Sequence, residues 1–155
     1  LDMQFPYALN EISVVRKDTT SMVNINTSLN GIHLNSYWSD GLIVSTPTGS
    51  TGYSLSCGGP VISPSSQSLV LTPISPHNLN ARPLVISDST KISISVSGRE
   101  EYHHLSIDSK VYTVKNETKI LVEKSDFNIK VANLNNYNFY KTLKEKLLWG
   151  KDKRN

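Results

Sequence analysis

Residues 39–60 read Ser-Asp-Gly-Leu-Ile-Val-Ser-Thr-Pro-Thr-Gly-Ser-Thr-Gly-Tyr-Ser-Leu-Ser-Cys-Gly-Gly-Pro, an apolar run that passes into small residues and hydroxyls. Small residues let a backbone approach a ligand, and free N–H groups at the start of a helix attract anionic or polar groups. The hydroxyls of Thr48, Ser50, Thr51 and Ser54 add donors and acceptors, and Tyr53 offers a flat face to a base. Stacking of that kind contributes on the order of 1–3 kcal/mol per base by analogy with single-stranded nucleic acids. These residue types suit a nucleotide, and they equally suit a purely structural Gly/Ser loop.

Several better-known sites are excluded by what is missing. Gly49-Ser50-Thr51-Gly52 lacks the lysine with which a Walker loop reaches terminal phosphates. The segment is neither a Rossmann fingerprint nor a nucleophile elbow, because the spacing Gly-any-Ser-any-Gly does not occur. His33, His77, His103 and His104 have no metal-ligand spacing with carboxylates, and the adjacent pair would point to opposite faces of a strand, so no protein-bound metal is expected. The lone Cys57 excludes an intrachain disulfide, suits a reducing compartment and reads as a small buried residue. A net charge of +3 is modest, and the terminal Lys151, Lys153 and Arg154 read as a solvated end, so no nucleic-acid partner is expected. No apolar run approaches the ~18 residues of a membrane span.

The elements that would carry the segment are strands. Apolar residues alternate at Ile12/Val14, Val23/Ile25, Ile32/Leu34, Leu42/Val44, Leu69/Leu71, Ile92/Ile94/Val96, Leu105/Ile107, Ile120/Val122 and Ile129/Val131. Turn signals at Asn30-Gly31, Ser39-Asp40-Gly41, Ser97-Gly98 and Lys115-Asn116-Glu117 predict antiparallel pairs. The expected fold is mainly β, a two-sheet sandwich with a short helix within residues 51–57, stopped by Gly58-Gly59-Pro60. An amphipathic helix is expected from Tyr137 to Trp149, ended by Gly150 and docked on the sandwich. At 155 residues the chain suits one domain, 1–155. Its start, Leu1-Asp2-Met3-Gln4-Phe5-Pro6, reads as mid-chain sequence, so a piece of a longer protein is expected.

Taken in order, Asn10-Glu11, Ser39-Asp40-Gly41-Leu42, residues 46–56 with Gly58-Gly59-Pro60, Pro76-His77 and Ala81-Arg82-Pro83-Leu84 resemble the motifs of the NAD kinase family. The likeness reaches the tail, where Phe139, Thr142-Leu143, Lys146-Leu147 and Trp149-Gly150 resemble the helix that closes family members. Two departures stand out. Gly52 occupies a position where the family usually has alanine, and the family's catalytic Gly-Gly-Asp-Gly motif, which belongs to a preceding α/β domain, is absent.

The resemblance implies transfer of the γ-phosphoryl of ATP, or of polyphosphate in some members, to the 2′-hydroxyl of the adenosine ribose of NAD, giving NADP. It implies a cytoplasmic homodimer or homotetramer in which the missing domain supplies the catalytic aspartate and this chain supplies positioning, so that the chain alone is inactive. Magnesium would arrive with ATP. Asn10 and Glu11 match the family's pair that contacts the dinucleotide; otherwise they are a strand-start turn. Thr51, Tyr53 and Ser56, with Thr48, Gly52, Ser54 and Leu55 around them, match positions about the adenine, although Leu55 also suits a buried helix face. Asp40 matches an acid that reaches a neighbouring subunit's dinucleotide; the alternative is a bare Asp-Gly turn with positive φ at Gly41. Lys110, Ser21 and Trp38 fall near contact positions of variable type. Two other readings remain open: a diacylglycerol- or sphingosine-type lipid kinase, and a non-catalytic β-sandwich module whose aromatic row would be Tyr37 and Trp38.

Overall fold

A computed structural model describes residues 3, 5–18, 21–78, 80–132 and 138–150. Tyr137 and the basic tail at Lys151, Lys153 and Arg154 lie outside them. The chain divides into two units, Leu1–Ser125 and Asp126–Asn155.

The first unit contains β1 (Glu11–Arg16), β2 (Val23–Leu29), β3 (Ile32–Ser39), β4 (Gly41–Ser45), β5 (Ser68–Ile74), β6 (Leu84–Ser87), β7 (Ile92–Ser97), β8 (Tyr102–Ile107), β9 (Lys110–Lys115) and β10 (Ile120–Val122). A six-stranded sheet runs β6-β5-β4-β1-β8-β9 and a four-stranded sheet runs β10-β7-β2-β3, with antiparallel pairing throughout. Alternation places Val14, Leu42, Val44, Leu71, Leu105 and Ile107 of the first sheet in one buried cluster with Ile25, Ile92, Ile94 and Val96 of the second. The two-sheet β architecture expected from the alternation is thus present.

The six-stranded sheet has a further layer on its far side. Leu42 and Val44 face the core, so Ile43 points the other way, yet it is fully buried, as are Val70 and Thr72. The cover comes from the segment that follows β4. A 3-10 turn at Gly49–Thr51 leads into α1 (Tyr53–Ser56), and the Ser54 hydroxyl bonds that of Thr72, which lies opposite Ile43 in the register. Burial on both faces explains why β4 and β5 contain no exposed position. Pro73 is tolerated inside β5 because pairing with β6 has already ended at Leu71, so no ladder donor is missed.

Turn chemistry proved a local guide only. Asn30 and Gly31, at φ 50° and 82°, close the β2–β3 hairpin as the Asn-Gly pair predicts. The turns at Ser39-Asp40-Gly41, Ser97-Gly98 and Lys115-Asn116-Glu117 instead carry the chain from one sheet to the other. Gly41 does not have positive φ. It is needed for close approach, since a Cβ there would stand 2.6 Å from the Val14 carbonyl and 2.9 Å from Ile74. β6 and β9 were not foreseen, because both are edge strands with much of their length exposed. Ile32 and Leu34 lie on the solvent side of edge strand β3, 74% and 36% exposed, while Tyr37 and Ser39 point inward.

In the second unit, α2 spans Phe139–Lys146. The Asn138 side chain accepts from the Lys141 N–H as N-cap, and Lys144 and Lys146 complement the dipole in the last turn. The helix stops at Lys146, four residues before Gly150, with Leu147 as C-cap, and Leu148 takes φ 52°. Ile129 and Val131 form no strand and are 60% and 83% exposed. Alternation without a neighbouring strand to complete its ladder leaves both side chains in water.

Candidate functional site

One end of the six-stranded sheet gathers the start of β1, the end of β4 and the β8–β9 hairpin. Thr46, just past β4, donates its N–H to the Asn10 carbonyl at 2.9 Å and its hydroxyl to the Leu9 carbonyl at 2.7 Å. Its hydroxyl oxygen accepts from the Gly49 N–H at 3.1 Å. Gly49 lies against the Asn10 peptide so closely that a Cβ would stand 2.1 Å from the Asn10 oxygen. Only glycine fits between these two stretches of backbone.

The loop then has an interior and an outer side. Ser50 is fully buried; its hydroxyl donates to the Pro47 carbonyl at 2.7 Å and accepts from the Ile62 N–H at 2.9 Å, pinning both ends of the segment. Ser54 is also buried, bonded to Thr72 at 2.8 Å. Beyond α1, the Gly59 N–H reaches the Ser54 carbonyl and the Gly58 N–H reaches that of Leu55, with Gly58 at φ 83°. This is a Schellman stop followed by proline, the ending that Gly58-Gly59-Pro60 predicts. Gly59 has no alternative residue, because a Cβ would press on the Ser54 hydroxyl and the Thr72 oxygen.

With Ser50 and Ser54 turned inward, the outer side consists of Thr48, Thr51, Gly52, Tyr53 and Ser56, all exposed, with Leu55 half-buried. Tyr53 is 43% exposed, open enough to offer a ring face. Its hydroxyl pKa is raised by partial burial, then by the negative potential of Cys57 and of Asp40. Cys57 is itself half-buried at the end of α1, its thiol pushed up by burial.

Glu11 lies beneath this loop, its Oε2 atom 3.4 Å from where a Gly52 Cβ would be. That oxygen is buried and has no hydrogen-bond partner among the described residues. Burial, and then the negative charge of Asp108, hold the Glu11 carboxyl above the usual range. Asp108, in the β8–β9 turn, accepts from the N–H groups of Leu9, Asn10 and Glu11. Lys110 follows two residues later, exposed, with its Nζ 5.8 Å from the Phe5 ring. The structure therefore brings Asn10, Glu11, Gly49 and Gly52 together, with α1 following directly from Gly52 and Lys110 on the adjoining hairpin.

Asp40 approaches the site from the opposite end of β4. It sits before that strand, six residues ahead of Thr46, yet α1 folds back over β4 so that the Asp40 charge reaches the Tyr53 hydroxyl. There its carboxylate pairs with Arg16 Nε at 3.2 Å, while its carbonyl accepts from the Arg16 N–H. Trp38 lies on β3 of the four-stranded sheet and Ser21 just before β2. With Met22, Asn24, Ser97, Gly98 and Arg99 they line an open hollow of about 400 Å³ that includes no residue of the 46–60 segment. The aromatic row of a sandwich module is not formed, because Tyr37 is buried and only Trp38 faces out. Sequence reasoning missed Arg16 and Asp108. For Asp108 the available signal was the turn Ile107-Asp108-Ser109 between two apolar alternations.

Comparison with known proteins identifies the family of the chain. Residues 9–134 match the family model described as the ATP-NAD kinase C-terminal domain. The chain is 60% identical over 149 residues to an NAD kinase of Flavobacterium psychrophilum, covering 96% of this chain and 51% of that protein. It is 60% identical over 148 residues to one of Christiangramia forsetii, covering 96% and 50%. The chain spans about half the length of the curated relatives it matches. Among solved structures, yeast NADH kinase complexed with NADH superposes with a TM-score of 0.83 at 27% identity, covering 94% of this chain and 45% of that one. An NAD kinase from Archaeoglobus fulgidus in complex with ATP gives 0.70 at 33% identity, covering 77% and 46%. By the family match over most of its length and by these relatives, the chain belongs to the ATP-NAD kinase C-terminal domain family.

Proposed function

We propose that the chain is the dinucleotide-binding half of an NAD kinase, which phosphorylates the 2′-hydroxyl of the adenosine ribose of NAD with ATP. The observation that carries this reading is the pairing of an exposed Tyr53 and its neighbouring hydroxyls with an Asn10–Glu11 pair whose backbone is fully engaged. In this assignment Tyr53 stacks on adenine, with Thr51 and Ser56 on its polar edge and Thr48 nearby. Gly52 allows close approach, while Ser54 and Leu55 hold the helix from within. Asn10 and Glu11 bind hydroxyl and amide groups of the ribose and nicotinamide; the unpartnered Glu11 oxygen suits a donor-rich ligand. Lys110 supplies positive charge beside the pair, and Asp40 serves a dinucleotide held mainly by a neighbouring subunit in a homodimer or homotetramer.

Phosphoryl transfer requires positioning, charge stabilisation and a proton acceptor for the attacking hydroxyl. This chain provides the first of these. A preceding domain supplies the catalytic aspartate, and magnesium is carried by the ATP phosphates. The exposed site fits such a division, since a half-site waits for the other domain to cover it. The enzyme works in the cytoplasm, without a membrane or nucleic-acid partner.

The test compares the isolated chain with the full-length enzyme. Full-length protein should bind NAD in calorimetry and form NADP from ATP, and the isolated chain should form none. A full-length protein that neither binds NAD nor makes NADP would overturn the assignment.

A further inference from the structure

The backbone of residues 9–11 is held from two sides. On one, Asp108 accepts from the Leu9 N–H at 2.8 Å through Oδ2, and from the Asn10 and Glu11 N–H groups at 2.8 Å and 3.1 Å through Oδ1. Its own N–H returns a bond to the Glu11 carbonyl at 2.9 Å. On the other, Thr46 engages the carbonyls of Leu9 and Asn10, and Gly49 lies against the Asn10 peptide. A carboxylate that collects successive backbone donors makes stronger bonds than a neutral acceptor. The contact joins residues 97 to 99 positions apart.

This arrangement exceeds what starting a strand requires. The ladder already pairs Glu11 with Ser45 and Ile12 with Ile107. Asp108 adds a second negative charge beside Glu11, whose Oε2 is already buried without a partner. An unfavourable pairing of that kind persists where the side chain has a use for its free acceptor, and a donor-rich ligand supplies one. Asp108 adopts φ 48°, a conformation that aspartate tolerates through its short polar side chain.

We infer that Asp108 is a positioning residue for dinucleotide binding: by locking the Leu9–Glu11 backbone it aims the Asn10 and Glu11 side chains before the ligand arrives. This rests on the dinucleotide reading above. Pre-ordering the pair removes an ordering cost that binding would otherwise bear.

The experiment uses the full-length enzyme with Asp108→Ala, Asp108→Asn and, as a destabilised core control, Ile94→Val. Loss of a supporting partner commonly weakens a site by about tenfold or more, so Asp108→Ala should raise the Kd and KM for NAD about tenfold. The KM for ATP should stay put and kcat should fall by less than KM rises. Asparagine keeps one acceptor oxygen and the left-handed turn but sets an NH2 group against the Leu9 N–H, so its NAD affinity should lie between alanine and parent. The control should lose melting temperature and keep its NAD affinity. An Asp108→Ala enzyme that binds NAD like the parent, or loses NAD and ATP affinity together as a loosened protein would, overturns the inference. If alanine prevents folding, Asp108→Asn decides, and an unchanged KM for NAD overturns it. Failure of the dinucleotide reading itself would show in the parent enzyme, before any variant is compared.

Discussion

Replacing Gly49 with alanine tests the packing beneath the site. The new Cβ would stand 2.1, 2.5 and 2.8 Å from the oxygen, carbonyl carbon and Cα of Asn10, all backbone atoms that cannot swing aside. Ordinary contact begins near 3.4 Å, so the loop and the start of β1 must separate by the difference between 2.1 and 3.4 Å. That movement breaks the 2.9 Å bond from the Thr46 N–H to the Asn10 carbonyl. Overpacking costs about 1–3 kcal/mol and one backbone hydrogen bond about 1 kcal/mol, together about 2–4 kcal/mol. For a protein of this size each kcal/mol lowers the melting temperature by about 2–4 °C, so the expected fall is roughly 4–16 °C. Gly52→Ala, three residues on, is the matched comparison. Its Cβ would meet the Gly49 oxygen at 3.3 Å and Glu11 Oε2 at 3.4 Å, a tight but available space. Its melting temperature should stay close to the parent's. Thermal denaturation followed by circular dichroism measures both, and NAD titration of the full-length forms shows whether affinity follows. A Gly49→Ala protein that melts with or above Gly52→Ala would refute the argument that close backbone approach dictates this glycine.

Other outcomes follow from the same geometry. Tyr53→Ala should leave the melting temperature nearly unchanged, since the ring is 43% exposed, while weakening NAD binding by roughly five- to 150-fold, the equivalent of ~1–3 kcal/mol of stacking; unchanged affinity in calorimetry would remove Tyr53 from the site. Glu11→Gln should raise the melting temperature at neutral pH while lowering NAD affinity. Because the folded Glu11 pKa is raised above 4.5, its unfavourable contribution is absent below that pH and complete above the raised value. The stability gain of Glu11→Gln should therefore fade in acid, and a gain independent of pH would contradict it. His103 is fully buried, with Nδ1 2.9 Å from the Asn116 oxygen and Nε2 without a partner among the described residues. Burial lowers its pKa below 6.5, which the Asn116 bond opposes and neighbouring His104 reinforces. The unfolded chain then takes the proton first, so stability present above pH 6.5 is lost as pH falls below it. Melting curves from about pH 7 to about pH 5 should fall more steeply for the parent than for His103→Gln.

Most of the strands, the Asn30-Gly31 hairpin and the stop at Gly58-Gly59-Pro60 could be read from the residues, because each depends on neighbours a few positions away. Alternation reports which side of a strand is apolar. It does not say which sheet the strand joins, and so the turns at Asp40-Gly41 and Ser97-Gly98 looked like hairpins when they are crossings. Nor could composition separate the hydroxyls of the loop. Ser50 and Ser54 face inward only because α1 packs over Ile43 and Thr72, whereas Thr51, Tyr53 and Ser56 remain on the open side. Ile129 and Val131 carried the same alternating pattern as true strands and lacked a partner. Asp108 reached Asn10 and Glu11 across nearly a hundred residues, a meeting set by the pairing of β1 with β8. Local chemistry thus specified most of the pieces. Long-range pairing and two-sided burial, which require the whole chain to be folded, decided which of their groups remain open to solvent.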